Sequence, residues 1–490
     1  MIFQHTKIGG TLGPACADLT TIGSMIRAGM SFARLNFSHG TYDEHAKLIA
    51  AIRAVEAKIG ARVAVVQDLQ GPKMRLGTLP ETGVIIAAGD SVIFDTAASD
   101  YARLGAARAG AAIPISYPGL AGCLKPGERI LIDDGRVEVM ITAVAGAEIT
   151  TQVVEGGKLT AHKGLNFPDS TMLAIPALSV KDQADVKFGV QMGVEFISLS
   201  FAKRAQDILD LRFLIEKYER ELHLKRAKRA PPIRLIAKIE RREAVRNIEE
   251  MIDAADGIMI ARGDLGLELP AAELPLMQKK IIDLANRAAK PVIVATQMLD
   301  SMQHARRPTR AEVTDVANAV IDHADALLLT NETATGEHPV LVVETMRDII
   351  LATEKSAYDD VAPPAVHKGV STEVAITELA RILAEEIKAK LILAASISGE
   401  TGRLISHVRP ALPILVATST DRVCRQLNLS WGVTGFILPE CGSIEELVAR
   451  SVNYIKRHKL AKAGDKMIIV AGEPVGQAGN VNLVEVREIK

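Results

Sequence analysis

A chain of 490 residues is longer than one ordinary domain, and a norm of about 150 residues per domain predicts roughly three. With 48% hydrophobic and 24% charged residues, its composition is that of a soluble globular protein, which excludes a disordered or fibrous chain. The formal net charge of -1 offers no general attraction to nucleic acid or to an anionic membrane, so small molecules are the expected partners.

Short apolar or β-branched runs open the chain at 6–10, 31–35 and 63–66, with amphipathic stretches between them. From 70 to 161 the pattern changes. Runs at 91–95, 129–132 and 136–141 read as short antiparallel strands, the last two joined by a turn at Asp133-Asp134-Gly135. The first pattern resumes at 196–199, 234–239, 257–260, 291–295 and 326–329, and eight such units predict a closed parallel (β/α)8 TIM barrel. Their near-continuous apolarity suits strands covered on both faces. The interruption follows the third strand and is expected to form a small β-barrel lid domain that hangs over the barrel mouth and excludes water. The basic run at 225–229 reads as a solvated helix face. After 352, Pro363-Pro364 marks a linker, and runs at 391–394, 414–417, 435–438 and 467–470 predict a mostly parallel C-terminal α/β domain. The expected division is 1–69 and 162–352 for the barrel, 70–161 for the insert and 353–490 for the last domain. Cys16, Cys123, Cys424 and Cys441 lie far apart without a CxxC pair, which fits a reducing cytoplasm and no structural zinc or disulfide scaffold. Neither a leader nor a membrane span is expected from the first residues or from the apolar runs.

Barrel enzymes work at the C-terminal ends of their strands, so the polar residues after each run are the candidates. The second run leads through Arg34, Asn36 and Ser38, which share one face of an extended chain, to His39. The third ends in Asp68-Leu69-Gln70, followed by Lys73 and Arg75, and the fourth in Ser200. The fifth carries Lys238 and Glu240, and the sixth Gly263 and Asp264, where glycine lets backbone N–H groups approach an anion at a helix start. Thr296 closes the seventh and Thr330 and Glu332 follow the eighth. Neighbouring strands lie about 4.8 Å apart, so Glu240 and Asp264 can share one hard cation, of magnesium rather than zinc type. Taken singly, each residue has an ordinary reading: an ion pair, a turn cap at Asp68, a satisfied carbonyl at Ser200 or Thr296. Together at one rim they point to a ligand, because unpaired charges resist desolvation.

Five segments, Thr6-Lys-Ile-Gly-Gly-Thr-Leu-Gly-Pro14, Gly29-Met-Ser-Phe-Ala-Arg-Leu-Asn-Phe-Ser-His-Gly40, Lys238-Ile-Glu240, Met259-Ile-Ala-Arg-Gly-Asp-Leu-Gly266 and Ala295-Thr-Gln-Met-Leu299, give the chain a resemblance to the pyruvate kinases along nearly its whole length. The resemblance implies a glycolytic transfer of phosphoryl from phosphoenolpyruvate to ADP, giving pyruvate and ATP. It implies magnesium on Glu240 and Asp264, with Lys238 stabilising the phosphoryl group and the enolate oxygen. Gly263, Asp264 and Thr296 are implied to hold the substrate carboxylate and Arg34 the phosphate, with Ser200 on the substrate side. Asn36, His39, Arg75 and Lys163 are implied to face the nucleotide. The proton for the enolate carbon is expected from hydroxyls and water near Thr296, Thr330 and Glu332. The family is generally tetrameric.

Two departures stand out. Potassium-dependent relatives usually have Glu at the position of Lys73, and Thr and Lys at those of Leu69 and Gln70. The tethered ammonium of Lys73 is expected to supply the charge of the monovalent ion, with the Asn36, Ser38, Asp68 and Leu69 pocket kept and potassium not required. Thr330 and Asn331 stand where relatives often have Ser and then Gly or Ala. In the last domain, Ser396-Ile-Ser398-Gly399-Glu400-Thr401-Gly402 matches a loop at which the family often binds a sugar-phosphate or nucleotide effector. It reads equally as a helix cap, since Glu400 brings negative charge to the phosphate position. Two rival readings remain. A barrel lyase or mutase acting on phosphoenolpyruvate or 2-oxo acids would not need a nucleotide lid. A non-catalytic sensor or scaffold would be expected to lose Lys238, Glu240, Asp264 or Thr296, and all four are present.

Overall fold

In the computed structural model, residues 3–101, 112–170, 175–222, 231–359, 371–473 and 481–490 are described; the Pro363-Pro364 linker and the basic run at 225–229 lie outside them. Eight parallel strands close into a barrel. In chain order they are Lys7–Thr11, Met30–Asn36, Ala64–Asp68, Phe196–Leu199, Arg234–Ile239, Gly257–Ala261, Val292–Ala295 and Ala326–Leu329. The third strand runs two residues past its apolar run, so Asp68 is the last residue of the strand and shares its rigidity.

The barrel is filled rather than hollow. Phe32, Val66, Phe196, Ile236, Met259, Ile293 and Leu328 pack in its interior, and Leu429 from the C-terminal domain joins the same cluster. Glycine at position 9 is required by that filling, since a Cβ there would fall 2.1 Å from Cζ of Phe32. Around the strands, helices begin and end on local signals. The helix Tyr42–Ile59, for example, starts at a Thr41/Glu44 capping box and stops at Gly60 with φ 76°.

The insert forms a six-stranded sheet, Leu165–Asn166, Arg129–Ile132, Val137–Ala145, Glu148–Glu155, Ser91–Asp95 and Ile113–Pro114 in spatial order, beside a two-stranded ribbon of Gly157–Leu159 and Val84–Ile86. The β barrel expected there is thus two sheets around one core that includes Phe94, Ile130, Val139 and Ile149. Its hairpin turns at Asp133 and Asp134, with φ 54° and 55°, and a Cβ on Gly135 would sit 3.2 Å from Leu267 of the barrel. That contact places the hairpin tip beside the helix Arg262–Glu268, which follows the sixth barrel strand.

The C-terminal domain is a five-stranded sheet in the order Val433–Ile437, Ile414–Thr418, Leu391–Ala395, Lys466–Ala471, Leu483–Glu488. The first four strands are parallel and the last antiparallel to its neighbour. Separate apolar clusters cover its two faces. Among the described residues no helix is long and apolar enough to cross a membrane, and the four cysteines are free.

Candidate active site

The strand ends converge as their sequence positions require. Lys238, near the end of the fifth strand, directs its ammonium to Oε1 of Glu240 at 2.8 Å, Oγ of Ser200 at 2.7 Å and Oδ2 of Asp68 at 3.3 Å. Arg34 on the second strand meets the same Asp68 oxygen through Nη2 at 2.6 Å and Nε at 2.7 Å, and Nη1 donates to Oγ1 of Thr11 at 3.2 Å. The other Asp68 oxygen accepts from Ser198 at 2.7 Å. Burial opposes the charge on Asp68, yet Lys238 and Arg34 outweigh it and hold the carboxyl below its ordinary range. Lys238 answers in kind: burial works against its charge, and Asp68 and Glu240 still raise its hold on the proton.

Glu240 behaves differently. Its second oxygen accepts from the backbone N–H of Phe201 at 2.8 Å, and Phe201 adopts φ 56° to present that group. Burial pushes the carboxyl up, Lys238 pulls it down, and the negative charge of Asp264 pushes it up again. The two carboxylates thus repel each other, Glu240 one residue past the fifth strand and Asp264 in the helix Arg262–Glu268 that follows the sixth. Asp264 is partly exposed, so the pair opens toward the mouth. Hard oxygen donors that repel one another suit a magnesium-type cation. A cation held there by two carboxylates would complete its shell with substrate oxygens and water.

Next to Asp264, Oγ1 of Thr296 accepts from the N–H of Gly263 at 2.7 Å. That bond leaves the hydroxyl proton directed elsewhere. Glu332, fully buried, ties two loops together: one oxygen accepts from the N–H of Leu299 at 3.2 Å, the other from the N–H and hydroxyl of Thr330 at 2.7 and 3.1 Å.

The remaining expected residues divide. Ser200 is buried, donates to the carbonyl of Leu69 at 2.7 Å and accepts from Lys238, so its hydroxyl orients the ammonium. Oδ1 of Asn36 accepts from the N–H of Ser38 at 3.1 Å, and Leu69 is buried with its N–H on the carbonyl of Ser198 at 3.1 Å. Arg75 donates to the carbonyl of His162 at 2.9 Å, and Lys163 pairs with Asp133 of the hairpin turn at 2.7 Å. The exposed His39 has its affinity for protons lowered by burial of part of the ring and by the positive charges of Arg75, Lys73 and Arg34. Ser198, Thr11 and the N–H of Phe201 were not singled out from sequence. Thr11 lies inside a quoted motif, and Ser198 two residues before Ser200, on the same strand face.

In the C-terminal loop, Gly399 at φ 81° starts the helix Glu400–His407, and the N–H of Glu400 donates to Oγ of Ser398 at 3.3 Å. The Glu400 carboxylate is held by Arg403 at 2.5 and 3.2 Å and stands 3.9 Å from Arg234. The Ser396 N–H joins the sheet through the carbonyl of Ala417, and Thr401 is buried.

Comparison with known proteins agrees over both large domains. Residues 3–343 match the pyruvate kinase barrel-domain family and residues 374–487 the pyruvate kinase alpha/beta-domain family. Similar curated proteins include pyruvate kinases of Geobacillus stearothermophilus, 39% identical over 99% of this chain and 80% of that one, and of Mycobacterium tuberculosis strain H37Rv, 39% identical over 99% and 98%. The crystal structure of a pyruvate kinase from Cryptosporidium parvum superposes with a TM-score of 0.88 at 32% identity, covering 99% of this chain and 96% of that one. With its eight-stranded barrel, inserted sheet domain and C-terminal α/β domain all accounted for, the chain belongs to the pyruvate kinase family of phosphotransferases.

Proposed function

We propose that the protein transfers the phosphoryl group of phosphoenolpyruvate to ADP, giving pyruvate and ATP in cytoplasmic glycolysis, with magnesium and without a need for potassium. The observation that carries this reading is the Lys238 ammonium, buried among Asp68, Glu240 and Ser200, with the charge of Asp264 acting on the same Glu240. Phosphoryl transfer depends on positioned cations rather than on covalent protein chemistry. Glu240 and Asp264 would hold the magnesium ion, which offsets phosphoryl charge when bound.

The protein's own groups have separable parts to play. The Asp68 contact is the longest of the three made by Lys238, hence the one a phosphoryl oxygen displaces most cheaply. Arg34, pinned by Asp68 and Thr11, presents its guanidinium to the phosphate. Thr296 donates its hydroxyl to the substrate carboxylate beside the Gly263 and Asp264 backbone. The Thr330 hydroxyl, backed by Glu332, supplies the proton path to the enolate carbon. The insert, 70–161, closes over ADP, with Asn36, His39, Arg75 and Lys163 on the nucleotide side.

Lys73 supports potassium independence, since its positive charge acts on His39 at this rim. At the C-terminal loop of Ser396, Ser398, Gly399 and Thr401, the engaged Glu400 favours a helix cap over an allosteric site for a sugar phosphate or nucleotide. A homotetramer is supported by exposed Leu379 and Ile382 on the helix Thr372–Glu386 and by the outer edge strand carrying exposed Val486. The test is pyruvate formation from phosphoenolpyruvate with ADP, magnesium and potassium varied independently. Pyruvate should require ADP and magnesium and be indifferent to potassium, and Lys73→Glu should introduce a potassium requirement. Pyruvate released without ADP would replace this reading with a lyase.

A further inference from the structure

We propose that Arg262 and Asp315 form a brace that holds Thr296 in its working conformation, a positioning role that rests on the phosphoryl-transfer reading of the site. Thr296 and Gln297 lie consecutively at φ 71° and 54°. For side-chain-bearing residues, and above all for β-branched threonine, each such conformation is strained and persists only where its surroundings enforce it.

Here one buried side chain does so. Nη2 of Arg262 donates to the carbonyl of Thr296 at 2.9 Å and to that of Gln297 at 3.0 Å, and Nε to the Thr296 carbonyl at 3.3 Å. Nη1 is clamped on the Asp315 carboxylate at 2.6 and 2.7 Å, from the helix Arg310–Ile321. A planar fork of donors can engage two carbonyls and a carboxylate at once, which a lysine cannot. The next residue, Gly263, donates its N–H to Oγ1 of Thr296 at 2.7 Å, and the one after it is Asp264. One tripeptide thus sets the Thr296 backbone, its hydroxyl and the neighbouring carboxylate. Because the Arg262 donors end on protein atoms, the residue acts through Thr296 and not on substrate.

The test pairs Arg262→Lys with Gln297→Gly. Lysine keeps a cation for Asp315 and loses the fork, so kcat/KM for phosphoenolpyruvate should fall about 30-fold to 100-fold, while KM for ADP stays within about twofold. Glycine takes positive φ without strain, so adding Gln297→Gly to that variant should return about tenfold, although alone it should be nearly silent. Asp315→Asn, a partly exposed change, should show a smaller loss of the same kind. A lower melting temperature with unchanged kcat/KM for phosphoenolpyruvate, or no rescue by glycine, would overturn the brace. If the wild-type protein makes no pyruvate, the functional reading fails by itself. The brace is then decided by exchange of the Gly263 amide hydrogen, which should speed up in Arg262→Lys and slow again in the double variant; equal rates would dismiss it.

Discussion

The two ends of the barrel are both crowded with charge, and they treat it in opposite ways. At the underside, facing the C-terminal domain, each cation is consumed by structure. Arg409 reaches Asp325 at 2.9 Å, Asn286 at 3.0 Å and the carbonyl of His323 at 2.8 Å, and stacks 5.1 Å from the Trp431 ring. Lys7 gives its ammonium to the carbonyl of Val433 at 2.7 Å, and Arg425 engages Glu56 at 2.9 Å. At the mouth, Glu240 and Asp264 repel each other, and Asp68 is shared by two cations. Charges arranged for stability find partners within the chain; charges arranged for chemistry are left to be completed by a ligand.

Substitutions should split along that line. Glu240→Gln is isosteric and removes the repulsion from Asp264, so the melting temperature should hold or rise, while kcat/KM drops at least about a thousandfold. A variant that unfolded as it lost activity would make the mouth another structural charge cluster. Arg409→Met should do the reverse. Removing one partner of a buried pair leaves Asp325, among the described residues, with the N–H groups of Val292 and Trp431, at a cost of about 3 kcal/mol in denaturant unfolding. Turnover of the folded fraction should change by less than about twofold.

His5 sharpens the comparison through pH. It stacks on Trp431 with ring centroids 4.2 Å apart, its Nδ1 is buried without a partner, and its pKa falls to about 4 through burial and the nearby charges of Lys7 and Arg409. An unfolded histidine binds a proton below about pH 6.5, whereas the folded one refuses it until about pH 4. The stabilising contribution is therefore complete above pH 6.5 and lost as pH falls through that window, by up to about 3 kcal/mol. His5→Phe should keep the stack and flatten unfolding free energy between pH 6.5 and 4; an unchanged pH dependence would remove His5 as its source.

Much of this was legible in the sequence because strand tips are read directly. Apolar runs gave the eight barrel strands, and the polar residue after each named Lys238, Glu240, Asp264 and Thr296. What escaped depends on contacts that periodicity does not carry. The edge strand Leu483–Glu488 alternates apolar and charged residues and is half exposed, so it lacks the apolar density of its parallel neighbours. Ser200 is a candidate from its place after the fourth run, but that place does not carry its bonds to the Leu69 carbonyl and the Lys238 ammonium. Arg262 sat in plain view beside Gly263, yet its partners Thr296, Gln297 and Asp315 are more than thirty residues distant.

A pair of single-atom changes gives the smallest and most direct contrast. Ser200→Ala and Ser406→Ala each delete one buried hydroxyl, the first from Lys238 and the carbonyl of Leu69, the second from the carbonyl of Trp431, which it meets at 2.7 Å. Each lost hydrogen bond is worth about 1 kcal/mol, so Ser200→Ala, which loses two, should be destabilised by about twice as much as Ser406→Ala, which loses one. Only Ser200→Ala should slow turnover, by about tenfold, because the Lys238 ammonium loses one of the three acceptors that fix its direction. Equal activities in the two variants would mean that Lys238 is oriented by Asp68 and Glu240 alone.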